Sequence, residues 1–430
     1  MRGNVHAPKE GIILKNVYVI GGGAAGLMAA YAAAKNGNNV TLIEKNEKLG
    51  KKIYITGKGR CNFTNDVSPD EFLQNVVRGE KFLRGSLYAF SSQKTIEFFE
   101  NYGLSVKIER GTRAFPVSDH ASDVTKTLEK ACKSVGVTIQ LNEKVEKIIV
   151  DNTTMSGIGI MPRIVKLQTD KNIYLCDEII VATGGLSYPS TGSTGDGYIF
   201  ARSCGHTVSE LKAGLCGLNL EGDIFKELQG LALKNVSVTV KNGEKTVFSD
   251  FGEALFTHFG ISGPIILSAS SIINRLSIGS LSLTLDLKPA LDEQTLDKRL
   301  LRDFEKYKNK QILNALGELL PQKLIAFVLK ASNISEKKLV NILTKEERLR
   351  LVHTLKNLPL KIRSLRGFEE AIITSGGVTL TEINPKTMES KLVKGLRFCG
   401  EVLDIDAFTG GFNMQIAFAT GYAAGNSILS

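Results

Sequence analysis

The chain has 430 residues, with 54 lysines and arginines against 44 aspartates and glutamates, which gives a formal net charge of +10. At roughly 150 residues per domain, this length predicts two or three domains and a sizeable hydrophobic core. The positive surplus fits an anionic cofactor or substrate and leaves nucleic acid open as a partner, although ordinary lysine usage is the simpler explanation.

The cysteines and histidines argue against several classes of site. Six scattered cysteines form no C-x-x-C pair, and five histidines lack metal-binding spacing, so we expect neither a metal site nor a disulfide framework. The polar start MRGNVHAPKEG lacks an apolar signal core, and no run approaches the ~20 apolar residues of a membrane span. These features predict a reduced, cytoplasmic protein without a membrane partner.

The first predicted elements form a βαβ unit. NVYVIGGG is a β-branched apolar run that enters glycines, LMAAYAAAKNG predicts an alanine-rich helix, and NVTLIEK predicts a second buried strand. The right-handed crossover of such a unit makes its sheet parallel. Two further helices, SLYAFSSQKTIEFFENYG and ASDVTKTLEKACKSVG, are followed by strand patterns that end at IIVATGG.

The pattern changes near residue 203. NVSVTVKNGEKTVFSDFGEALFTH alternates around an NG pair and predicts a hairpin, whereas 292–358 is helical and highly charged. Strands resume at FEEAIITSGGVTL, and the chain ends as strand, loop and alanine-rich helix. We therefore expect an α/β domain made of 1–204 and 371–430. A β-rich domain at 205–291 and 359–370 interrupts it, with a helical insertion at 292–358.

The first glycine cluster predicts a dinucleotide-binding turn. Gly21 allows the tight turn, Gly23 lets a pyrophosphate approach the backbone, and Gly26 lets helix and strand pack closely. The helix N-terminus then faces the phosphates with unpaired N–H groups. Glu44 ends the next strand, where a carboxylate accepts hydrogen bonds from a ribose. A glutamate there argues against a 2′-phosphate.

Three later segments favour FAD over NAD. The loop KNEKLGKKIYITGKGRCNFTN is long and polar enough to lie along an extended cofactor, and ATGG brings Ala182 to Gly185 to the end of a buried strand. From CGEVLDIDAFTGGFNMQIAFATG we expect Glu401 to lie near a ribityl chain and the N–H groups of Gly411 to Asn413 to face the flavin pyrimidine.

These motifs, together with LFTHFGISGP and LPLKIRSLRGFEEAIITSGGV, resemble one bacterial flavoprotein family. That family is known as NAD(P)/FAD-dependent oxidoreductases or aminoacetone-oxidase-family FAD-binding enzymes, and it includes a reductase of a bile-acid-inducible operon. The resemblance covers nearly the whole chain from Val17. It implies a glutathione-reductase-like, Rossmann-type FAD domain interrupted by a β-barrel-like domain that carries a helical insertion.

The resemblance also implies that GKGRCNFTN lies beside the flavin. Lys58 and Arg60 would balance negative charge on phosphate or reduced flavin. Cys61 is either a redox thiol or, more simply, a small side chain packed against the ring, since no partner cysteine is near in sequence. The predicted cofactor-binding residues are Gly21, Gly23, Ala24, Ala25, Gly26, Glu44, Lys45, Lys58, Gly59, Arg60, Cys61, Asn62, Val145, Ala182, Thr183, Gly184, Gly185, Gly400, Glu401, Gly410, Gly411, Phe412 and Asn413.

Catalytic candidates are fewer. His258 is the preferred proton donor because its unperturbed pKa lies near neutrality, with Tyr188 as the next choice and Cys61 as the redox alternative. STGSTGDGYIFARSCG resembles a second nucleotide turn, but we interpret it as a helix start beside the flavin domain.

The expected function is an FAD-dependent oxidoreductase with non-covalent FAD, a small-molecule substrate and NAD(P)H as a possible electron donor. The alternatives are an RNA-associated flavoprotein, with the basic surplus as its RNA footprint, and a flavin-bound redox sensor without turnover.

Overall fold

The structure is a computed structural model that describes residues 14–153, 155–156 and 159–429. These residues form two compact units. The first unit holds the described residues up to Lys212 and from Ile373 onward, and the second holds Ala213–Ile372. Each unit has a hydrophobic core of its own.

The described strands are β1 Asn16–Ile20, β2 Asn39–Glu44, β3 Thr64–Asn65, β4 Val76–Arg78, β5 Val106–Glu109, β6 Arg113–Pro116, β7 Thr138–Leu141, β8 Val145–Asp151, β9 Met155–Ser156, β10 Gly159–Ile160, β11 Arg163–Thr169, β12 Ile173–Leu175, β13 Glu178–Val181, β14 Lys212–Gly214, β15 Leu218–Leu220, β16 Ala232–Asn242, β17 Lys245–Thr257, β18 Gly260–Ser262, β19 Leu281–Asp286, β20 Leu358–Leu360, β21 Ile362–Leu365, β22 Ile373–Ser375, β23 Leu396–Phe398 and β24 Asp406–Ala407.

The described α-helices are α1 Ala24–Lys35, α2 Lys51–Ile55, α3 Pro69–Leu73, α4 Glu80–Ala89, α5 Ser92–Asn101, α6 Ala121–Ser134, α7 Asp196–Ser203, α8 Pro264–Ile273, α9 Glu293–Lys306, α10 Ile312–Ala315, α11 Gln322–Ala331, α12 Lys345–Lys356 and α13 Phe412–Asn426. Within the described part of the chain, none of these helices combines the length and apolar character needed to cross a bilayer.

A parallel sheet organises the first unit. Its strand order is β23-β13-β1-β2-β7, and every pair is parallel, with Val17 opposite both Val40 and Glu178. The predicted βαβ unit is therefore confirmed as β1, α1 and β2. Because β1 lies between β13 and β2, the carboxyl ends of three strands that precede predicted site residues meet at one edge.

Helix α1 packs against the last helix, α13. Alanine dominates α1, and small side chains allow a close approach. A Cβ atom built on Gly421 would lie 2.4 Å from the Ala25 carbonyl oxygen, so only glycine permits this contact. The N-terminal nucleotide turn is thus supported by the C-terminal end of the chain.

The second unit is built on an antiparallel sheet with the order β20-β19-β16-β17-β18-β15-β21. Strands β16 and β17 form the hairpin predicted from the NG pair, with Asn242 opposite Lys245. Helices α9 to α12 do not stand apart, because Leu296, Leu324 and Leu351 are buried in the same core as the sheet. The charged residues of this segment cover the outside of helices whose apolar faces complete that core.

Candidate functional site

The glycine turn after β1 has one open position. A Cβ atom on Gly26 would lie 1.9 Å from the Gly21 carbonyl oxygen, and one on Gly21 would lie 2.6 Å from the Ala182 oxygen. At Gly23, by contrast, no atom lies within 4 Å of the added Cβ. Gly23 is the residue before α1, and no side chain caps that helix. Two glycines therefore serve packing, while the third leaves space in front of unpaired helix N–H groups.

Glu44 lies beside this space at the end of β2. It is 8% exposed. Its Oε2 accepts a hydrogen bond from Gly22 N at 2.7 Å, and its Oε1 accepts from Asn46 N at 2.8 Å and from Asn46 Nδ2 at 2.6 Å. A carboxylate offers about four acceptor positions, so one remains for a further donor such as a ribose hydroxyl.

Lys45 turns away from this carboxylate. Its Nζ lies 2.6 Å from Asp196 Oδ2 and donates to Thr194 Oγ1. The ammonium therefore fixes the loop before α7 to the end of β2. This contact places the second glycine-rich turn, Gly192–Gly197, beside the end of β2.

A polar cluster that sequence reasoning missed joins four segments of the first unit. Lys52 Nζ lies 2.7 Å from Glu401 Oε2 and donates to Ser187 Oγ. Glu401 Oε1 accepts from Ser187 Oγ at 2.8 Å and from Thr374 N at 2.7 Å. The carboxylate predicted to face the ribityl chain is thus held by a lysine and a hydroxyl. No local signal marks Lys52, Ser187 or Thr374, because each depends on a residue far along the chain.

The GKGRCNFTN loop has several left-handed residues, including Lys58 and Cys61. Arg60 donates to Asp119 Oδ1 at 2.7 Å, pairs with Glu109, and stacks over the Phe115 ring at 4.4 Å. Its charge is therefore matched by two carboxylates of the same unit. The predicted contact of Arg60 with the cofactor stays a prediction.

Cys61 and Asn62 are both enclosed. Cys61 is fully buried, and burial raises the pKa of its thiol, which favours the protonated, unreactive form. Asn62 is 9% exposed, and its buried Oδ1 has no hydrogen-bond partner. That atom lies 2.9 Å from a Cβ built on Gly411, at the start of α13. An unpaired amide oxygen beside a helix N-terminus is an acceptor that an N–H or O–H group of a bound ligand would satisfy.

The start of α13 is shaped by its own side chains. Asn413 Oδ1 accepts from Ala407 N at 2.9 Å, and its Nδ2 donates to Ala407 O at 2.7 Å. The amide side chain is therefore used to hold the preceding strand. No side chain caps α13, so the N–H groups of its first turn stay available to a ligand oxygen.

The other predicted cofactor residues follow strands of the parallel sheet, except Val145, which lies in a separate antiparallel sheet of the first unit. Ala182, Thr183, Gly184 and Gly185 follow β13, Gly400 follows β23, and Val145 is a buried residue of β8. A Cβ on Gly185 would lie 3.0 Å from Glu401 Oε1, which brings the ATGG segment against the lysine–glutamate cluster.

The catalytic candidates lie in different units. Tyr188 follows Ser187 in the first unit, is half-buried and has a left-handed φ of 52°. His258 is an exposed residue of the turn between β17 and β18 in the second unit, with its ring 5.1 Å from that of Phe259. The proposed proton-donor roles of both residues stay predictions.

The hydrogen-bond donors and acceptors of the first unit suit a flavin dinucleotide. The open space at Gly23 and the N-terminus of α1 fit a pyrophosphate, and the free acceptor position of Glu44 fits a ribose. The N–H groups at the start of α13 fit a carbonyl oxygen of a heteroaromatic ring, and the unpaired Oδ1 of Asn62 fits an N–H group of that ring. In the described part of the chain, no group of three or more His, Cys, Asp or Glu residues is placed to hold a metal ion.

Comparisons with known proteins show the family of this chain. A protein-family model described as the HI0933-like protein Rossmann domain matches residues 15–427. The 3-dehydro-bile acid delta(4,6)-reductase of Clostridium scindens is 32% identical over 420 residues, which cover 96% of this chain and 99% of that protein. The ribosomal RNA dihydrouridine synthase of Escherichia coli is 30% identical over 418 residues, which cover 96% and 97%.

One solved structure supports the fold. The 3-ketosteroid delta1-dehydrogenase of Sterolibacterium denitrificans superimposes with a TM-score of 0.52 at 12% identity, covering 96% of this chain and 99% of that one. At this identity the similarity concerns the fold alone.

Proposed function

The chain belongs to the HI0933-like Rossmann family and is an FAD-dependent oxidoreductase, and we propose that it reduces a carbon–carbon double bond conjugated to a carbonyl group. The observation that carries the cofactor assignment is the open position at Gly23, in front of α1 and beside Glu44. When bound, FAD supplies the hydride and takes up electrons from a donor, for which we propose NADH or NADPH.

The names of the two relatives support the type of bond. A delta(4,6)-reductase acting on a 3-dehydro-bile acid and a synthase forming dihydrouridine both describe hydrogen addition to a ring double bond. In each ring, that bond is conjugated to a carbonyl. A small cyclic enone is therefore the first substrate class that we propose for this chain.

A uridine in RNA is the second candidate. The E. coli relative and the ribosomal RNA dihydrouridine synthase of Haemophilus influenzae, 32% identical over 415 residues, favour it. The net charge of +10 also fits an anionic polymer. Both candidates require the same two protein functions: to hold the cofactor, and to place the double bond over it.

The chain's own residues would orient the cofactor. We propose that the N-terminus of α1 binds the pyrophosphate and that Glu44 binds the adenosine ribose. Glu401, held by Lys52 and Ser187, would accept a hydrogen bond from a ribityl hydroxyl, and the N–H groups at the start of α13 would bind a ring carbonyl. A proton for the second carbon would come from His258 or, failing that, Tyr188.

We also propose that the sheet of the second unit closes into a barrel. Its edge strands β20 and β21 are joined by Lys361 alone, so Leu360 and Ile362 lie at most about 7 Å apart. Seven strands laid flat would separate the two edges by about 29 Å. Curvature that brings the edges together removes this conflict.

A reducing, cytoplasmic setting is a further proposal. All six cysteines are free and buried. Thiols with no disulfide partner suit a compartment in which disulfides do not persist.

The test begins with the purified protein. It should be yellow, absorb at about 450 nm and release FAD on heating. Anaerobic NADH and NADPH are then titrated, and the reduced protein is offered a 3-keto-delta(4,6) bile acid or a uridine-containing RNA. Product from the accepted substrate should gain about 2 Da. Release of FMN, a colourless protein, or reduction of neither substrate would overturn the proposal.

Two variants assign the chemistry. His258→Ala should slow turnover by about 10²–10⁴-fold while FAD content and flavin reduction are kept, as expected for a general acid. Cys61→Ser should retain most activity if the buried thiol only packs. Loss of turnover in Cys61→Ser with FAD still bound would instead make Cys61 catalytic.

A further inference from the structure

The second unit carries a cleft of its own, with a volume of about 630 Å³. Its walls come from β15, the loop that follows β15, the turn between β17 and β18, and β21. A cleft of this size falls within the range of ligand-binding sites and is large enough for a nucleotide.

Arg363, the main positive charge of the cleft, lies at a β-bulge. In the pairing of β15 with β21, Asn219 lies opposite Ser364 and Leu220 opposite Ile362, so Arg363 has no partner residue. Bulges of this type redirect a side chain. Arg363 is exposed and lines the cleft, and no carboxylate of the described residues lies within ion-pair distance of it.

The neighbouring charges compensate one another. Lys226 Nζ lies 2.6 Å from Asp223 Oδ1, and Arg366 pairs with Glu370. Arg363 is therefore the uncompensated charge at the cleft. Because Lys226 and Asp223 are both exposed, their pair is weak, and the ammonium is free to turn toward a stronger anion.

The rest of the wall combines an aromatic ring with fixed polar groups. The Arg366 guanidinium lies over the Phe259 ring at 4.5 Å and donates to Asn219 Oδ1 at 3.3 Å. Asn219 Nδ2 in turn donates to Ser364 Oγ at 2.8 Å. These contacts hold the ring and the amide in place, which lowers the entropic cost of binding a planar group against them.

We infer that this cleft binds one nucleotide of a single-stranded RNA. Arg363, with Lys226 beside it, takes the phosphodiester, and the base lies against Phe259 and Asn219. An aromatic ring next to an unpaired cation is the arrangement that single-stranded nucleic acids use. The inference rests on the RNA candidate of the proposed function and assigns to the second unit the binding of the strand that carries the target uridine.

The experiment measures RNA binding by the full-length, FAD-loaded protein without any reductant. A fluorescein-labelled oligouridine of about 12 nucleotides, within the usual site sizes, is titrated at several salt concentrations. Arg363→Ala should weaken binding about 5- to 10-fold and lower the salt slope by about 0.7, as expected for one lost phosphate contact on a single strand. Arg363→Lys should restore most of the slope.

The matched control is Arg302→Ala, which removes an exposed arginine of α9 that does not line the cleft. It should leave binding within about twofold of the wild type. FAD content and the urea unfolding midpoint of each variant show that the fold is intact. If Arg363→Ala binds RNA as the wild type does, or if Arg302→Ala loses as much affinity, the inference is wrong.

Competition identifies the source of the anion. Inorganic phosphate should compete only weakly, and cholate, a bile-acid carboxylate, should not displace the RNA. If cholate binds the wild type but not Arg363→Ala, while RNA binding is unchanged, the cleft is a carboxylate site and the RNA assignment is overturned. A failure of the proposed function would look different, because flavin content or double-bond reduction would be lost whatever the RNA affinity.

Discussion

The two glycine-rich turns of the first unit look alike in sequence and differ in what their glycines face. A Cβ on Gly23, before α1, would meet no atom within 4 Å. A Cβ on Gly197, in the first turn of α7, would lie 2.2 Å from Thr183 Oγ1 and 2.9 Å from a Val402 methyl. The first turn therefore leaves room for a ligand, whereas the second is filled by its own protein.

The charges at the starts of the two helices, α1 and α7, differ in a corresponding way. The first turn of α1 has no acidic residue and no side-chain cap. The first turn of α7 contains Asp196, whose carboxylate complements the helix dipole and binds Lys45. A glycine pattern alone does not distinguish a nucleotide turn from a packing turn; the atoms that face the glycine at the helix start do.

The largest expected effect tests the packing glycine of the first turn. Gly26→Ala should lower the free energy of unfolding by about 3 kcal/mol, because the new methyl would lie 1.9 Å from a carbonyl oxygen. Urea denaturation of the apoprotein measures this loss. Gly23→Ala, in the same turn, should cost no more than about 1 kcal/mol. Equal losses would show that both positions are packed and would remove the contrast.

The next effect tests the open position. Gly23→Val should weaken FAD binding by at least about 100-fold, because the side chain would occupy the pyrophosphate space, while the apoprotein stays folded. Titration of the apoprotein with FAD, followed by flavin fluorescence, measures the change. The counterpart Gly197→Val should instead destabilise the fold. An unchanged FAD affinity in Gly23→Val would place the cofactor elsewhere.

A third prediction concerns the far end of α7. His206 follows this helix, is buried against Phe398, and contacts Glu382 Oε2 at 3.0 Å through Nδ1 and Ser390 Oγ at 2.8 Å through Nε2. His206→Ala should lower the free energy of unfolding by about 2 kcal/mol at pH 7.5, because two buried hydrogen bonds are lost.

The same histidine makes stability depend on pH. Burial lowers the pKa of His206 below its ordinary 6.5, and the Glu382 carboxylate only partly offsets this. Below that ordinary value the unfolded chain binds more protons than the folded one, so stability is full above it and is lost as the pH falls. Urea midpoints at pH 7.5 and 5.5 should show this loss in the wild type and a smaller one in His206→Ala. If the urea midpoint changes with pH by the same amount in both proteins, this pH dependence does not come from His206.

The smallest effect concerns the ion pair between the end of β2 and the second turn. Asp196→Asn should cost about 0.5 kcal/mol, because Lys45 and Asp196 are partly exposed and water screens them. A double-mutant cycle with Lys45→Met isolates the pair, and added salt should reduce its coupling energy. A coupling well above about 1 kcal/mol would mean that the second turn depends on charge as well as on packing.

The parts of the site that were predictable are local in sequence. Gly21, Gly23 and Gly26 lie in one turn, and Glu44 ends the next strand, so strand pattern and glycine spacing were enough to place them. The same βαβ unit also predicted that these residues lie at the carboxyl edge of a parallel sheet. The hairpin at Asn242 was predictable for the same reason, because two residues determine the turn.

The residues that escaped prediction depend on distant partners. Lys52 meets Ser187 across 135 positions and Glu401 across 349. Arg60 was expected near the cofactor, and the carboxylates that pair with it, Glu109 and Asp119, lie 49 and 59 positions away. A lysine or arginine in a polar loop carries no pattern that reveals which acid it will meet.

In the helical segment of the second unit, the helices were predictable from the sequence but their packing partner was not. Its periodicity predicted helices, and helices α9 to α12 are present. Periodicity specifies that a helix has an apolar face but not which surface covers it. In the structure, Leu296 and Leu351 lie in the core of the sheet, so the segment is part of that unit's interior.

The contact between α1 and α13 has a consequence for biosynthesis. The nucleotide turn is synthesised before the second unit, and Gly421 is synthesised after it. Until α13 emerges, the face of α1 that packs against it is uncovered, so the nascent chain depends on protection from aggregation. We expect cofactor loading to follow the synthesis of α13, which would make a product truncated before α13 colourless and an early target for proteolysis.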